Sequence, residues 1–373
     1  MPKRIPFQQV ITALLDNTAV FPGEYLQRFS QLDKHELKNL AAAWPKIEPS
    51  RRRALLEDLE DLTSTDMLLM VDDVAILGLD DPEPGVRAAS IRLLWNSEYS
   101  DLLPYLLRAL ENDPSPEVRA GAASAMGNFV YLGELEEIDA DTHHMVEDLL
   151  LNTYAGGDEK LVRRRTLEAL GFSSRPEVPA LIQQAYDSGD PEWMASALFA
   201  MGRSYDKAWE APVKRELNSP DGRVQLEAVR AAGELELDAA RRALLDMLED
   251  EGVDPDIRAA AIWSLSQIGG EQVRETLEEL LDDAVDDDEE YELLQNALDN
   301  LELNDEINKQ MDLFDIDLAD KSHYTGVVDL EQDSLDDDEE EEEIEIKPDP
   351  DEAAANPPEK PKSPGRKRHH KHK

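Results

Sequence analysis

Few side chains in this sequence are of a kind that does covalent chemistry. Cysteine is absent from all 373 residues, which removes thiolate nucleophiles, disulfides, iron–sulfur clusters and cysteine-held zinc in one step. Among the histidines, His143 and His144 stand near Asp139 and Asp141, the residue types a metal would need. Adjacent residues on a helix point about 100° apart, so the pair reads more simply as solvated or hydrogen-bonded histidines. His369, His370 and His372 lie in a short basic tail and make only a weak site for stray metal. No Walker loop, GxGxxG turn, GxSxG elbow or HExxH helix is present. The expectation is a chain with no catalytic residue and no cofactor.

Binding chemistry is better represented. Arg92, Arg165, Phe172, Phe199, Arg203, Arg230 and Trp263 are arginines and aromatics, the types enriched where interfaces are anchored. They occupy related places in a recurring pattern: an apolar residue, a small one four later, apolar residues at five and eight, and often Gly at nine. Copies begin at Val86, Val118, Val162, Trp193, Val224 and Ile257, spaced 32, 44, 31, 31 and 33 residues apart. Offsets zero, four, five and eight share one helical face, and offsets three, six and ten lie nearly opposite. Offset six supplies Arg92, Ser124, Glu168, Phe199, Arg230 and Trp263; offset ten adds Phe172 and Arg203, and offset three adds Arg165. Glu227 and Glu234 complete the acids of this face. The set is either the lining of a groove or, for the aromatics, a cover over the seams between units.

The elements that position these residues are pairs of helices. Asp81-Pro82, Asp113-Pro114, Asp190-Pro191, Ser219-Pro220 and Asp254-Pro255 each place an N-cap residue before a proline. Gly127, Gly171, Gly202 and Gly233, at offset nine, mark helix ends. A second apolar-periodic segment lies between copies, as at 102–110, 178–186 and 240–248, giving two antiparallel helices per unit. Weaker copies at 51–62 and 291–301 bring the array to about eight units. One stripe per helix cannot be buried by a lone pair, so the units must stack. The expected fold is an all-α superhelix over residues 46–303, preceded by a helical N-terminal cap over 1–45 with breaks near Phe21-Pro22-Gly23 and Leu32-Asp33. The long spacing of 44 points to an insertion near 130–142, either a loop on a binding face or a tolerated surface insertion.

The segments DPEPGVRAA at 81–89 and DPSPEVRAG at 113–121, echoed by VRRRTLEALG, VQLEAVRAAG and IRAAAIWSL, resemble HEAT repeats, in particular those of the phycobilisome lyase type. The resemblance implies an α–α solenoid whose second helices line a concave surface. It also implies an Asp–Arg ladder between units, mapping onto Asp81 with Arg87 and Asp113 with Arg119, while Met194 and Gln225 replace the Arg further on. HEAT-like arrays resembling deoxyhypusine hydroxylase bind iron through His-Glu dipeptides; here the one such dipeptide is His35-Glu36, outside the repeats. A bilin lyase-like or chaperone-like activity rests on the resemblance alone. The function it favours is a scaffold or adaptor that holds a protein partner in the concave groove.

The formal net charge of −46 is unevenly spread. Residues 281–346 hold 28 acids and two lysines, and residues 347–373 hold eight basic and four acidic residues. Residues 304–359 therefore read as an acidic, proline-containing disordered arm, and 360–373 as a basic tail. Within the arm, 311–320 alternates acids with bulky apolar residues and suits docking on the last repeat or on a partner. The tail could hold nucleic acid or another anionic surface by charge, or fold back on the acids at 336–343. With no apolar run of spanning length, no signal segment and no cysteine, the chain reads as cytoplasmic.

Overall fold

The computed structural model describes residues 5–66, 68–95, 102–250, 252–284 and 289–322; for 64, 65, 289 and 308–322 only the helical backbone is described. Two units are distinguished, Met1–Phe314 and Asp315–Lys373, and of the second only the helical stretch 315–322 is described. The segment at 311–320 is helical backbone, whereas the acids at 336–343 and the tail at 360–373 lie outside the described residues.

The first unit opens with α1 (Phe7–Leu15), a 3-10 helix (Gly23–Phe29) and α2 (Lys34–Ala43). Asp33 caps α2 in a reciprocal box with Glu36. Then come α3 (Pro49–Thr65), α4 (Asp72–Gly78), α5 (Pro84–Leu93), α6 (Leu102–Asn112), α7 (Pro116–Glu134) and α8 (Ala140–Ala155). The chain continues through α9 (Lys160–Leu170), α10 (Val178–Tyr186), α11 (Pro191–Arg203), α12 (Glu210–Glu216) and α13 (Gly222–Glu234). It closes with α14 (Arg241–Leu248), α15 (Pro255–Ile268), α16 (Glu271–Asp283) and α17 (Glu289–Ser322). No strand occurs among the described residues, and none of their helices is long and apolar enough to cross a membrane.

Each copy of the pattern is the second helix of a pair, and consecutive second helices pack on one another from α3 to α15. All residues at offsets zero, four, five and eight are buried except Trp193, which is half-buried. One apolar cluster thus runs from Phe7 to Leu301, each fully buried Val or Leu contributing about 1.5–3 kcal/mol. The all-α repeat architecture expected from the spacing is the one observed.

The offset-nine glycines do a further job beside the one expected, which Gly171 fulfils as the C-cap of α9. Gly127 lies inside α7, and Gly202 and Gly233 are one residue short of their helix ends. Each faces the backbone of the next second helix. A Cβ would come within 3.2 Å of the Ala169 Cα from Gly127, 2.9 Å of Ala200 from Gly171, 3.1 Å of Ala231 from Gly202 and 2.7 Å of Ser264 from Gly233. The glycines therefore set the spacing between units. Two residues beyond the ends of α7, α11 and α13, Glu136, Tyr205 and Glu236 turn the chain with left-handed φ of 59°, 51° and 48°.

Two other local expectations are also revised. Asp190 and Asp254 cap α11 and α15 directly before a proline, as expected. In DPEP and DPSP, however, the second proline opens the helix, with Glu83 and Ser115 at the N-cap, and Ser219-Pro220 precedes a helix capped by Asp221. The excess residues at 130–142 lengthen α7 and form the turn into α8, rather than making an inserted loop.

Freed from capping, the aspartates of DPEP and DPSP join a ladder running one unit back. Arg52 Nη2 donates to Asp81 Oδ1 at 2.9 Å and Trp44 Nε1 to Oδ2 at 2.9 Å, with Arg52 and Asp81 both buried. Arg87 grips Asp113 with two bonds of 2.8 and 2.9 Å, and its Nη1 donates to the Asp81 carbonyl at 2.8 Å. Arg119 repeats this on Asp158 at 2.6 and 3.0 Å, and its bond holds the Asp158 carboxyl below its ordinary pKa. The pattern then changes: Arg163 stacks on Tyr154 and Trp193, at 5.5 and 5.6 Å.

Candidate functional site

The face opposite the buried stripe of α3, α5, α7, α9 and α11 encloses a cavity of about 520 Å³. Its walls combine Arg53, Arg92, Arg165 and Arg203 with Glu60, Glu117 and Glu168, and its apolar lining includes Trp95, Leu161 and Phe199. Four arginines against three glutamates make this a mixed-charge surface on a chain of net −46. Small residues at the helix contacts, Ala88, Ala120, Gly121 and Ala169, keep the floor open.

Most of these charges answer one another. Arg92 Nε donates to Glu60 Oε2 at 3.0 Å, Arg53 Nε to Glu57 Oε1 at 2.8 Å, and Arg165 pairs with Glu168. Glu168 is buried and also accepts from the Ser196 hydroxyl at 2.6 Å. Arg203 differs. Its guanidinium is sandwiched 4.7 Å from the Phe172 ring and 4.2 Å from Phe199, with no hydrogen bond or ion pair among the described residues. Burial lowers its pKa, and the nearby carboxylates of Glu234 and Glu168 act in the opposite direction. Stacking satisfies the guanidinium faces and leaves the N–H edges to serve another acceptor.

Of the sequence-predicted set, Arg92, Arg165, Phe199 and Arg203 line the cavity, and Phe172 supports it by packing on Arg203 and, at 5.0 Å, on Tyr131. Phe172 and Phe199 are half-buried, so they cover the seam between α9 and α11 as well as framing the cavity. Arg230 and Trp263 do not line it: Arg230 bonds Glu227 at 3.0 Å on α13, and Trp263 stands 47% exposed on α15.

Beside Arg230, burial raises the pKa of Glu227, one of whose oxygens is enclosed without a partner. Glu234 is pushed up to about 7 by burial, against the pull of Arg203. Its side chain as a whole is exposed, but one carboxylate oxygen sits in the crevice over Gly202, 2.1 Å from where a Cβ would stand.

Sequence reasoning missed Trp95, 55% exposed at the cavity wall. The signal was available, since Trp95 occupies offset nine, where four other copies carry Gly.

The family model for HEAT repeats matches residues 73–141 and 210–297. Those two segments are HEAT repeats. Comparison with curated protein sequences gave no match. Among solved structures, this HEAT array is similar to YibA of Escherichia coli, at 18% identity over 77% of this chain and 98% of that one, with a TM-score of 0.38. It is similar to human deoxyhypusine hydroxylase at 16% identity over 70% and 95% of the two chains, TM-score 0.32. The complex of CpcE and CpcF of phycocyanin lyase from Nostoc matches at 17% identity over 81% and 99%, TM-score 0.35.

Proposed function

We propose that this HEAT array is a non-catalytic scaffold that holds a protein partner in the groove of its second helices. The supporting observation is the stacked Arg203, whose N–H edges are unpaired in a cavity walled by further arginines, Phe199 and the exposed Trp95. Exposed aromatics beside arginine are the residue types that dominate interface energies. A segment carrying carboxylates beside apolar side chains complements this wall: its acids meet Arg203 and Arg92, and its apolar groups meet Trp95 and Leu161. The whole set Arg92, Arg165, Phe172, Phe199, Arg203, Arg230 and Trp263 shares the helical register opposite the buried stripe, so a long partner continues from the cavity toward Trp263. The acidic run at 336–343 is a competitor of the right charge.

The test compares proteins captured by the wild-type chain with those captured by an Arg92→Glu/Arg203→Glu chain of equal helicity. Selective loss of one partner supports the reading. An unchanged set of partners in the folded variant overturns it.

A further inference from the structure

The lengthening of α7 and α8 brings three metal-ligating side chains together away from the groove. Glu134 is the last residue of α7, and His143 and Glu147 are one turn apart on α8. Their ligand atoms all lie within 4.8 Å of one another. His143 Nε2 is 3.6 Å from Glu147 Oε1 and 3.8 Å from Glu134 Oε1. Both distances are too long for hydrogen bonds, and Nε2 is enclosed with no partner. A buried ring nitrogen without a partner is costly, and here it is aimed between two carboxylate oxygens.

We propose that Glu134, His143 and Glu147 form a binding site for one divalent transition-metal ion. Ligand atoms around a zinc ion at about 2.0–2.1 Å in tetrahedral geometry stand roughly 3.3 Å apart, so the observed spacings close around an ion with small side-chain shifts. One imidazole and two carboxylates make a donor set of borderline hardness, suited to zinc. The surroundings act as supports. The Ser173 hydroxyl donates to Glu147 Oε1, the Ser174 backbone N–H donates to Glu134 Oε1 at 2.7 Å, and Arg175 Nη1 lies 3.7 Å from Glu147 Oε2. Such bonds orient carboxylates toward a metal. Gly133 is part of the design, because a Cβ there would stand 2.2 Å from the His143 ring. Three protein ligands leave room for water or a fourth group. Asp139 instead caps α8 through the Thr142 N–H, and so is spent on the helix rather than on the metal.

The probe is zinc ion alone, titrated calorimetrically into the metal-stripped full chain with His369, His370 and His372 changed to Ala, so that the tail cannot bind it. The expected result is one equivalent bound with micromolar or tighter affinity, and a rise in thermal midpoint. In the same background Glu134→Gln and His143→Gln each weaken binding by at least about tenfold. Glu134 is at the helix end and partly exposed, so Glu134→Gln decides the matter should His143→Gln misfold. No uptake, or uptake unaltered by Glu134→Gln in a folded protein, overturns the site.

Discussion

Replacing Gly233 by Ala tests the spacing of the array at its tightest point. The new methyl carbon would stand 2.7 Å from both the Cα and the Cβ of Ser264, whereas carbon atoms pack at about 3.5–4.0 Å. Since one contact is backbone, α15 must move off α13 or tilt against it, loosening Val229, Ala232 and Ile262. Overpacking of this sort costs about 1–3 kcal/mol. Against it stands a helix-propensity gain of at most about 1 kcal/mol, small here because Gly233 is near the helix end. The net expectation is a loss of about 0.5–2 kcal/mol, read as a lower midpoint in urea and thermal unfolding followed by circular dichroism. Gly222→Ala is the control. Nothing lies within 4 Å of its added carbon, so it should stabilise by about 0.4–1 kcal/mol through the unfolded chain. Equal stability of the two variants would refute the reasoning, because it would mean that the second helices do not touch at their glycines.

Further outcomes follow from the ladder, the caps and the groove. Arg52→Ala strands a buried Asp81 and should cost about 3–5 kcal/mol, whereas Arg242→Ala, which loses an exposed Asp246, should cost under about 1 kcal/mol; urea midpoints of the two separate these cases. Glu236→Gly relieves a left-handed φ of 48° and should raise stability by up to about 1 kcal/mol in the same assay. Glu234 has a folded pKa raised to about 7 from 4.5, so the folded state holds the extra proton between those values. Its contribution is therefore fully present below the lower value and lost as pH rises through the upper one. Glu234→Gln should accordingly flatten the fall of thermal midpoint between those pH values and exceed wild type at pH 8; a variant that is less stable at pH 8 contradicts this.

Much of the fold was legible because burial leaves a period. Val118, Ala122, Ala123 and Met126 are all inaccessible, and their spacing admits only one helical face. What the spacing could not show was why Gly stands at offset nine, since a helix terminator and a close-approach residue look alike in one chain. Only the neighbouring Cα atoms decide it. The residues at 130–142 were read as inserted because the copies there are 44 residues apart, yet Tyr131, Leu132 and Glu134 are accommodated in α7. The groove register was legible for Arg92, Arg165, Phe199 and Arg203, which one helical wheel relates. That Arg230 and Trp263 stand outside the cavity depends on how far each unit turns from the last, which no single helix encodes. His143 and Glu147 share a helical face in the sequence, whereas Glu134 reaches them only through the turn at Glu136, whose φ is 59°.

The groove proposal is tested most directly by oxidative footprinting of the chain with and without the partner whose capture depends on Arg92 and Arg203. Trp95, 55% exposed beside the cavity, and Leu161, 37% exposed in its wall, should lose reactivity in the complex. Met70, 64% exposed and outside the cavity lining, should keep its rate. Unchanged oxidation of Trp95 and Leu161 in a saturated complex would contradict binding in the groove.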